Sequence, residues 1–168
     1  GQFTSICDGD FGPALSALGN KIVGALGGQC MTDPLLTSTG NLVCYKDDVI
    51  GKNSQGKNIT CQKTCLDKAD CRIEEITNQG LTTEKTEEVT RCSDALFNNP
   101  ATQDCGDTCP CWRIVKKESC DPERFGTPYG LEILRNADPA PGTVAKASCF
   151  TSVNEWGSAE LAGLPQCE

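Results

Sequence analysis

The residues predict a small, disulfide-rich α+β domain, with an N-terminal amphipathic helix packed on a small antiparallel sheet. Three observations lead there. Thirteen cysteines occur in 168 residues, three of them within the stretch Cys105-Gly-Asp-Thr-Cys109-Pro-Cys111. Apolar residues recur at helical spacing between positions 11 and 26. Short strand-like runs follow the cysteine cluster at Trp112–Lys117, Leu131–Arg135 and Val144–Phe150.

Composition explains why cross-links are needed. Hydrophobic residues, cysteines included, make up 38% of the chain and aromatics 5%, a poor supply for a large apolar core. Disulfides offset this by restricting the unfolded chain, each contributing roughly 2–5 kcal/mol in a small secreted domain. Thirteen thiols would be a liability in a reducing compartment, so an extracellular, cell-surface or periplasmic location is expected. Structural zinc is disfavoured. Histidine is absent, and the close pairs Cys61/Cys65 and Cys105/Cys109 are C-x-x-x-C, with no C-x-x-C. A net charge of −8 argues against nucleic acid or an anionic membrane as partner. No signal peptide and no apolar run of 18 residues occurs. The abrupt start at Gly1-Gln2-Phe3-Thr4 leads us to expect a mature chain or an excised fragment.

In order along the chain, Gln2–Ile6 alternate like a short strand. Asp8, Asp10 and Pro13 form a helix entry, and Leu15, Leu18, Ile22 and Leu26 make an apolar stripe that ends at Gly27-Gly28. Asn41–Tyr45 and Asn58–Gln62 are strand candidates separated by the polar loop Lys52–Lys57. Asn58-Ile59-Thr60 is formally a glycosylation sequon. Residues 72–104 contain Cys92 alone among cysteines and carry Glu74, Glu75, Glu84, Glu87 and Glu88, which read as a solvated flank. Ser93–Phe97 is expected to form a helical turn closed by Pro100. Residues 112–117 alternate as a half-buried strand. Leu131–Arg135 and Val144–Phe150 are expected to pair as a hairpin around the proline-stiffened loop Asn136–Gly142. That places Cys149 to bridge Cys120 or the Cys105–Cys111 cluster, and Cys167 to staple the C-terminal end.

The disulfide candidates are Cys30, Cys44, Cys61, Cys65, Cys71, Cys92, Cys105, Cys109, Cys111, Cys120, Cys149 and Cys167. An odd total leaves one over, and Cys7 is the candidate free thiol or intermolecular link. Twelve cysteines admit on the order of ten thousand pairings, so connectivity stays open.

Little chemistry is available for catalysis. Without histidine there is no imidazole base and no Ser-His or Cys-His nucleophile. The adjacent carboxylates Asp47-Asp48 have nothing to fix their geometry. Thiol–disulfide exchange at Cys109/Cys111 is the main enzymatic alternative, though no basic neighbour poises a thiolate there. No catalytic residue, cofactor or metal ligand is therefore assigned.

The run Phe3-Thr4-Ser5-Ile6-Cys7-Asp8-Gly9-Asp10-Phe11-Gly12-Pro13-Ala14-Leu15, continuing to Ile22, resembles the last strand and closing helix of a von Willebrand factor A domain. The likeness is to secreted, cysteine-rich A-domain proteins of the myxobacterial kind. Pro110-Cys111-Trp112-Arg113 and Arg135…Pro139-x-Pro141-Gly142-Thr143 resemble the cysteine-rich tails of such proteins. The family's D-x-S-x-S adhesion motif is missing, so no metal site carries over to any residue. The resemblance divides the chain into residues 1–28, the end of an A domain, and 29–168, a cysteine-rich α+β module. It implies a non-catalytic structural or adhesive module of a larger surface protein. The alternatives are a secreted inhibitor or ligand-binding module presenting the 136–142 loop, and the Cys109/Cys111 exchange enzyme.

Overall fold

A computed structural model describes residues 29–167. The expected strand at 2–6, the helix at 11–26 and Cys7 lie outside the described residues. Eight strands are present within them: β1 Gln29–Cys30, β2 Val49–Lys52, β3 Asn58–Thr60, β4 Cys71–Thr77, β5 Lys85–Arg91, β6 Cys111–Lys116, β7 Tyr129–Leu134 and β8 Val144–Cys149. Three short helices join them: α1 Asp94–Asn98, α2 Pro122–Phe125 and α3 Ala159–Ala162. Two of the three helices start at side-chain caps. Asp121 accepts the Glu123 N–H at 3.0 Å with Pro122 opening α2, and Ser158 Oγ accepts the Leu161 N–H at 3.1 Å above α3.

The main sheet runs β1-β7-β6-β5-β4-β8, with β2 and β3 forming a separate ribbon. It is mixed, not purely antiparallel as expected. β5 and β6 run parallel, sharing only the pairs Thr90↔Cys111 and Arg91↔Trp112. A parallel neighbour requires a crossover, and residues 92–110, with α1, supply it.

Three further expectations are corrected. The β7–β8 hairpin does not form, because β8 lies at the far edge, paired with β4 from Cys71↔Cys149 to Ile76↔Val144. Cys149 accordingly bonds Cys71, while Cys120 bonds Cys30. Residues 41–45 are buried at Leu42, Val43 and Cys44 yet form no strand; Leu42 makes only isolated bridges, to Leu36 and Gln166. The acidic segment, whose Glu84, Glu87 and Glu88 are exposed, is folded as the β4–β5 hairpin, which was not expected. Its registers set Glu74 against Glu88 and Glu75 against Glu87, like charges that would repel. Arg72 relieves the first pair, reaching Glu74 at 3.2 Å and Glu88 at 3.1 Å. Arg135 binds Glu75, and Lys85 binds Glu87.

Two apolar clusters hold the fold. The larger one centres on Leu35, Ile73, Phe97, Trp112, Ile114 and Tyr129. The smaller joins Leu42, Cys44, Ile50, Cys61 and Leu161, and Trp156 packs against both. α3 sits so close to β2 that a Cβ at Gly51 would lie 2.2 Å from the Ser158 carbonyl oxygen and 2.8 Å from Ala162 Cβ. β6 is buried from Cys111 to Val115 on both faces, not half-buried as its alternation suggested.

Candidate functional site

Six disulfides join the twelve candidate cysteines: Cys30–Cys120, Cys44–Cys61, Cys65–Cys167, Cys71–Cys149, Cys92–Cys111 and Cys105–Cys109. Cys109 and Cys111 are thus in separate bonds, Cys92–Cys111 tying the crossover to β6. Cys65–Cys167 staples the C-terminal end. Such a set belongs to an oxidising compartment. Among the described residues, no helix is long and apolar enough to cross a membrane.

The crossover is organised by Arg113, which is fully buried in the middle of β6. Its Nε and Nη2 donate to Glu132 Oε2 at 3.0 and 2.9 Å. Nη1 donates to the carbonyls of Leu96 and Thr102, both at 2.9 Å, and of Asn99 at 3.4 Å. Nη2 also reaches the Pro100 carbonyl at 2.9 Å. A guanidinium has five donors in a rigid fork: two hold the Glu132 carboxylate, and the rest gather carbonyls at and just beyond the end of α1. Lys117 approaches the other Glu132 oxygen at 3.2 Å. The sequence reading missed this role, since an Arg in an alternating strand reads as solvent-facing.

Beyond the crossover, Cys105–Cys109 closes a ring over the turn Gly106–Thr108. Asn136 lies across it. Its Nδ2 donates to the Gly106 carbonyl at 3.0 Å, and its Oδ1 lies 3.0 Å from Cys109 Sγ. The expected loop starts here, and residues 136–142 are exposed throughout. Both its ends rest on β4: Arg135 on Glu75, and the Thr143 hydroxyl 3.5 Å from that of Thr77. Partial burial draws the Arg135 guanidinium below its ordinary pKa. Thr143 Oγ1 also donates to the Ala140 carbonyl at 2.7 Å, closing the loop on itself.

Between Gln103 on the crossover and residues 133–139 lies an open groove of about 490 Å³. Its walls alternate apolar Ile133, Ala137 and Pro139 with Arg135, Asn136 and Asp138. A shallow mixed surface of this kind can seat an extended segment, offering both hydrogen-bonding groups and apolar contact.

A second polar cluster lies at the junction of the two cores. The Tyr129 hydroxyl donates to Asp48 Oδ2 at 2.7 Å and accepts the Tyr45 N–H at 2.8 Å. Lys116 binds the other Asp48 oxygen and lies 5.5 Å from the Tyr45 ring centroid. Burial, then the Asp48 charge, push the Tyr129 hydroxyl far above its usual pKa. Asp47, in contrast, is exposed with φ at +69°. The adjacent carboxylates do not converge, so Asp47-Asp48 forms no acid–base pair. No group of three or more His, Cys, Asp or Glu residues is arranged to hold a metal among the described residues.

No protein-family model, curated protein or solved structure matches the chain.

Proposed function

We propose that this chain is a non-catalytic, extracellular, cell-surface or periplasmic binding module, with a structural or adhesive role in a larger A-domain-type protein. The observation that carries the reading is the loop 136–142: fully exposed, anchored at both ends to β4 and beside the Gln103–Pro139 groove. A surface held this way loses little conformational entropy on binding, which favours recognition. The two thiols of the exchange-enzyme alternative, Cys109 and Cys111, serve different bonds in support of the same framework. The larger-protein context rests on the residues 3–22 resemblance, and an A domain encoded directly upstream in the full open reading frame is its test.

Adhesion is tested with particles coated in the full chain and applied to intact cells of the producing organism. Binding by the native chain, reduced at least tenfold in N136A/D138A/P139A with all six disulfides mapped, supports the module. Equal binding by both removes the loop from the interface.

The second reading, a secreted inhibitor, is favoured by the same loop's two prolines, Pro139 and Pro141, which fix its backbone. Stoichiometric inhibition of a secreted hydrolase, lost in the same variant, would select it over adhesion.

A further inference from the structure

We infer that the Cys105–Cys109 disulfide is a thiol-exchange site through which a low-molecular-weight thiol such as glutathione loosens the binding groove. Five of the six bonds contain at least one almost wholly buried cysteine, Cys105–Cys109 among them through Cys105. Cys92–Cys111 and Cys44–Cys61 are buried at both ends, as is Cys65–Cys167. Cys30–Cys120 is buried at Cys120. Cys105–Cys109 differs in ring size. It spans four residues, against 90 for Cys30–Cys120 and 102 for Cys65–Cys167. The shortest ring restricts the unfolded chain least, so opening it removes least from the stability of the fold. Two bonds rival it in access: Cys30–Cys120, partly exposed at Cys30, and Cys71–Cys149, where both residues are partly exposed. The latter joins directly paired positions of β4 and β8 across 78 residues, so opening it unties a sheet edge.

Access also sets the direction of exchange. Cys105 is 5% exposed and Cys109 is only partly buried, so the thiolate reaches Cys109. Glutathione thiolate attacks Cys109 Sγ; the S–S bond breaks and Cys105 leaves as a thiolate that takes up a proton. A second glutathione thiolate attacks the glutathione sulfur of the mixed disulfide, releasing Cys109 as a thiol and glutathione disulfide. Two thiols of the chain are gained for two glutathiones oxidised.

The consequence passes through Asn136. The turn that the ring closes has few other ties: Thr108 N and Oγ1 to the Cys105 carbonyl at 3.1 and 2.6 Å, Cys109 N to the Gly106 carbonyl at 3.5 Å, and Gly106 N to Asp104. Asn136 touches this ring at Gly106 and Cys109 and lies midway along the groove wall. Once the ring opens, the wall loses its tie to the crossover at Asn136, while Arg135 and Thr143 still hold the loop to β4.

The bearing on ligand binding rests on the module reading above, whereas thiol labelling does not, so the two fail separately. The full chain is incubated in graded glutathione buffers, quenched by alkylation and mapped by mass. Cys105 and Cys109 are expected to be labelled at least tenfold faster than the other ten bonded cysteines, with far-UV circular dichroism unchanged. Faster labelling of Cys71 and Cys149, or release of all six bonds in one step, overturns the proposal. Hydrogen exchange at Arg135–Asp138 should rise in the opened protein and in C105S/C109S alike. Unchanged exchange there overturns the coupling. Failure of C105S/C109S to fold does the same, since the switch needs a fold that survives without this bond.

Discussion

The Tyr129 hydroxyl and the Asp48 carboxylate meet at 2.7 Å, and this contact joins the two apolar clusters of the domain. Tyr129 belongs to the larger cluster, and Asp48 sits between Cys44 and Ile50 of the smaller. The arrangement has a pH consequence. A hydroxyl whose pKa is raised by folding stabilises fully below its unfolded value, near pH 10, and loses that contribution as pH climbs toward the folded value. Urea unfolding should therefore show stability falling by up to about 1.4 kcal/mol per pH unit above pH 10 from this group. Y129F should remove that part of the slope and cost about 1–3 kcal/mol at pH 7, since Asp48 and the Tyr45 N–H lose their partner. An alkaline slope unchanged in Y129F would show that Tyr129 ionises freely.

R113K should be disruptive despite keeping the charge. An ammonium has three donors and no fork, so several of the Leu96, Asn99, Pro100 and Thr102 carbonyls lose their bonds along with the two-point grip on Glu132. A loss of about 3 kcal/mol in equilibrium unfolding is expected. A loss within 0.5 kcal/mol, the range of ordinary surface changes, would refute the clamp.

G51A tests the approach of α3 to β2. The added methyl group meets backbone at Ser158, which cannot swing aside, so overpacking should cost about 1–3 kcal/mol. A crystal structure of the variant should show α3 displaced from β2. An undisturbed helix with native stability would mean the contact is loose.

Removing bonds one at a time should rank them by ring size. In the chain-entropy account, C65S/C167S should lose about 4.7 kcal/mol and C105S/C109S about 2 kcal/mol. Denaturant midpoints of the two variants check this, and the reverse order would mean native packing outweighs loop closure.

The local elements were legible in the residues; their partners were not. α1, β6, β7 and β8 all lie within a few residues of the expected positions, because proline, cysteine and apolar alternation mark their limits. The β4–β5 hairpin was hidden by its glutamates: Arg72 and Lys85 on its own strands offset three of them, but the partner of Glu75, Arg135, lies far along the chain. Pairing of β8 with β4 was equally illegible. It depends on the match of Cys71 with Cys149, one of thousands of possible cysteine pairings, whereas the loop 136–142 invites a local hairpin. Of the candidate site, the loop was legible from its prolines. Its neighbours Gln103 and the Cys105–Cys109 ring were not, since only the crossover brings them alongside.

The two longest disulfides overlap. Cys30–Cys120 and Cys65–Cys167 together span every peptide bond from Cys30 to Cys167. A protease that cuts once anywhere in that interval, at the tip of the β4–β5 hairpin or within 136–142, therefore yields a nicked molecule and no separated fragments. Even both of those cuts together release nothing, because the middle piece stays joined through Cys120 to Cys30 and the last through Cys149 to Cys71 and Cys167 to Cys65. In a digestive environment the domain can be scarred without being dismantled, and its exposed loops become expendable to its integrity.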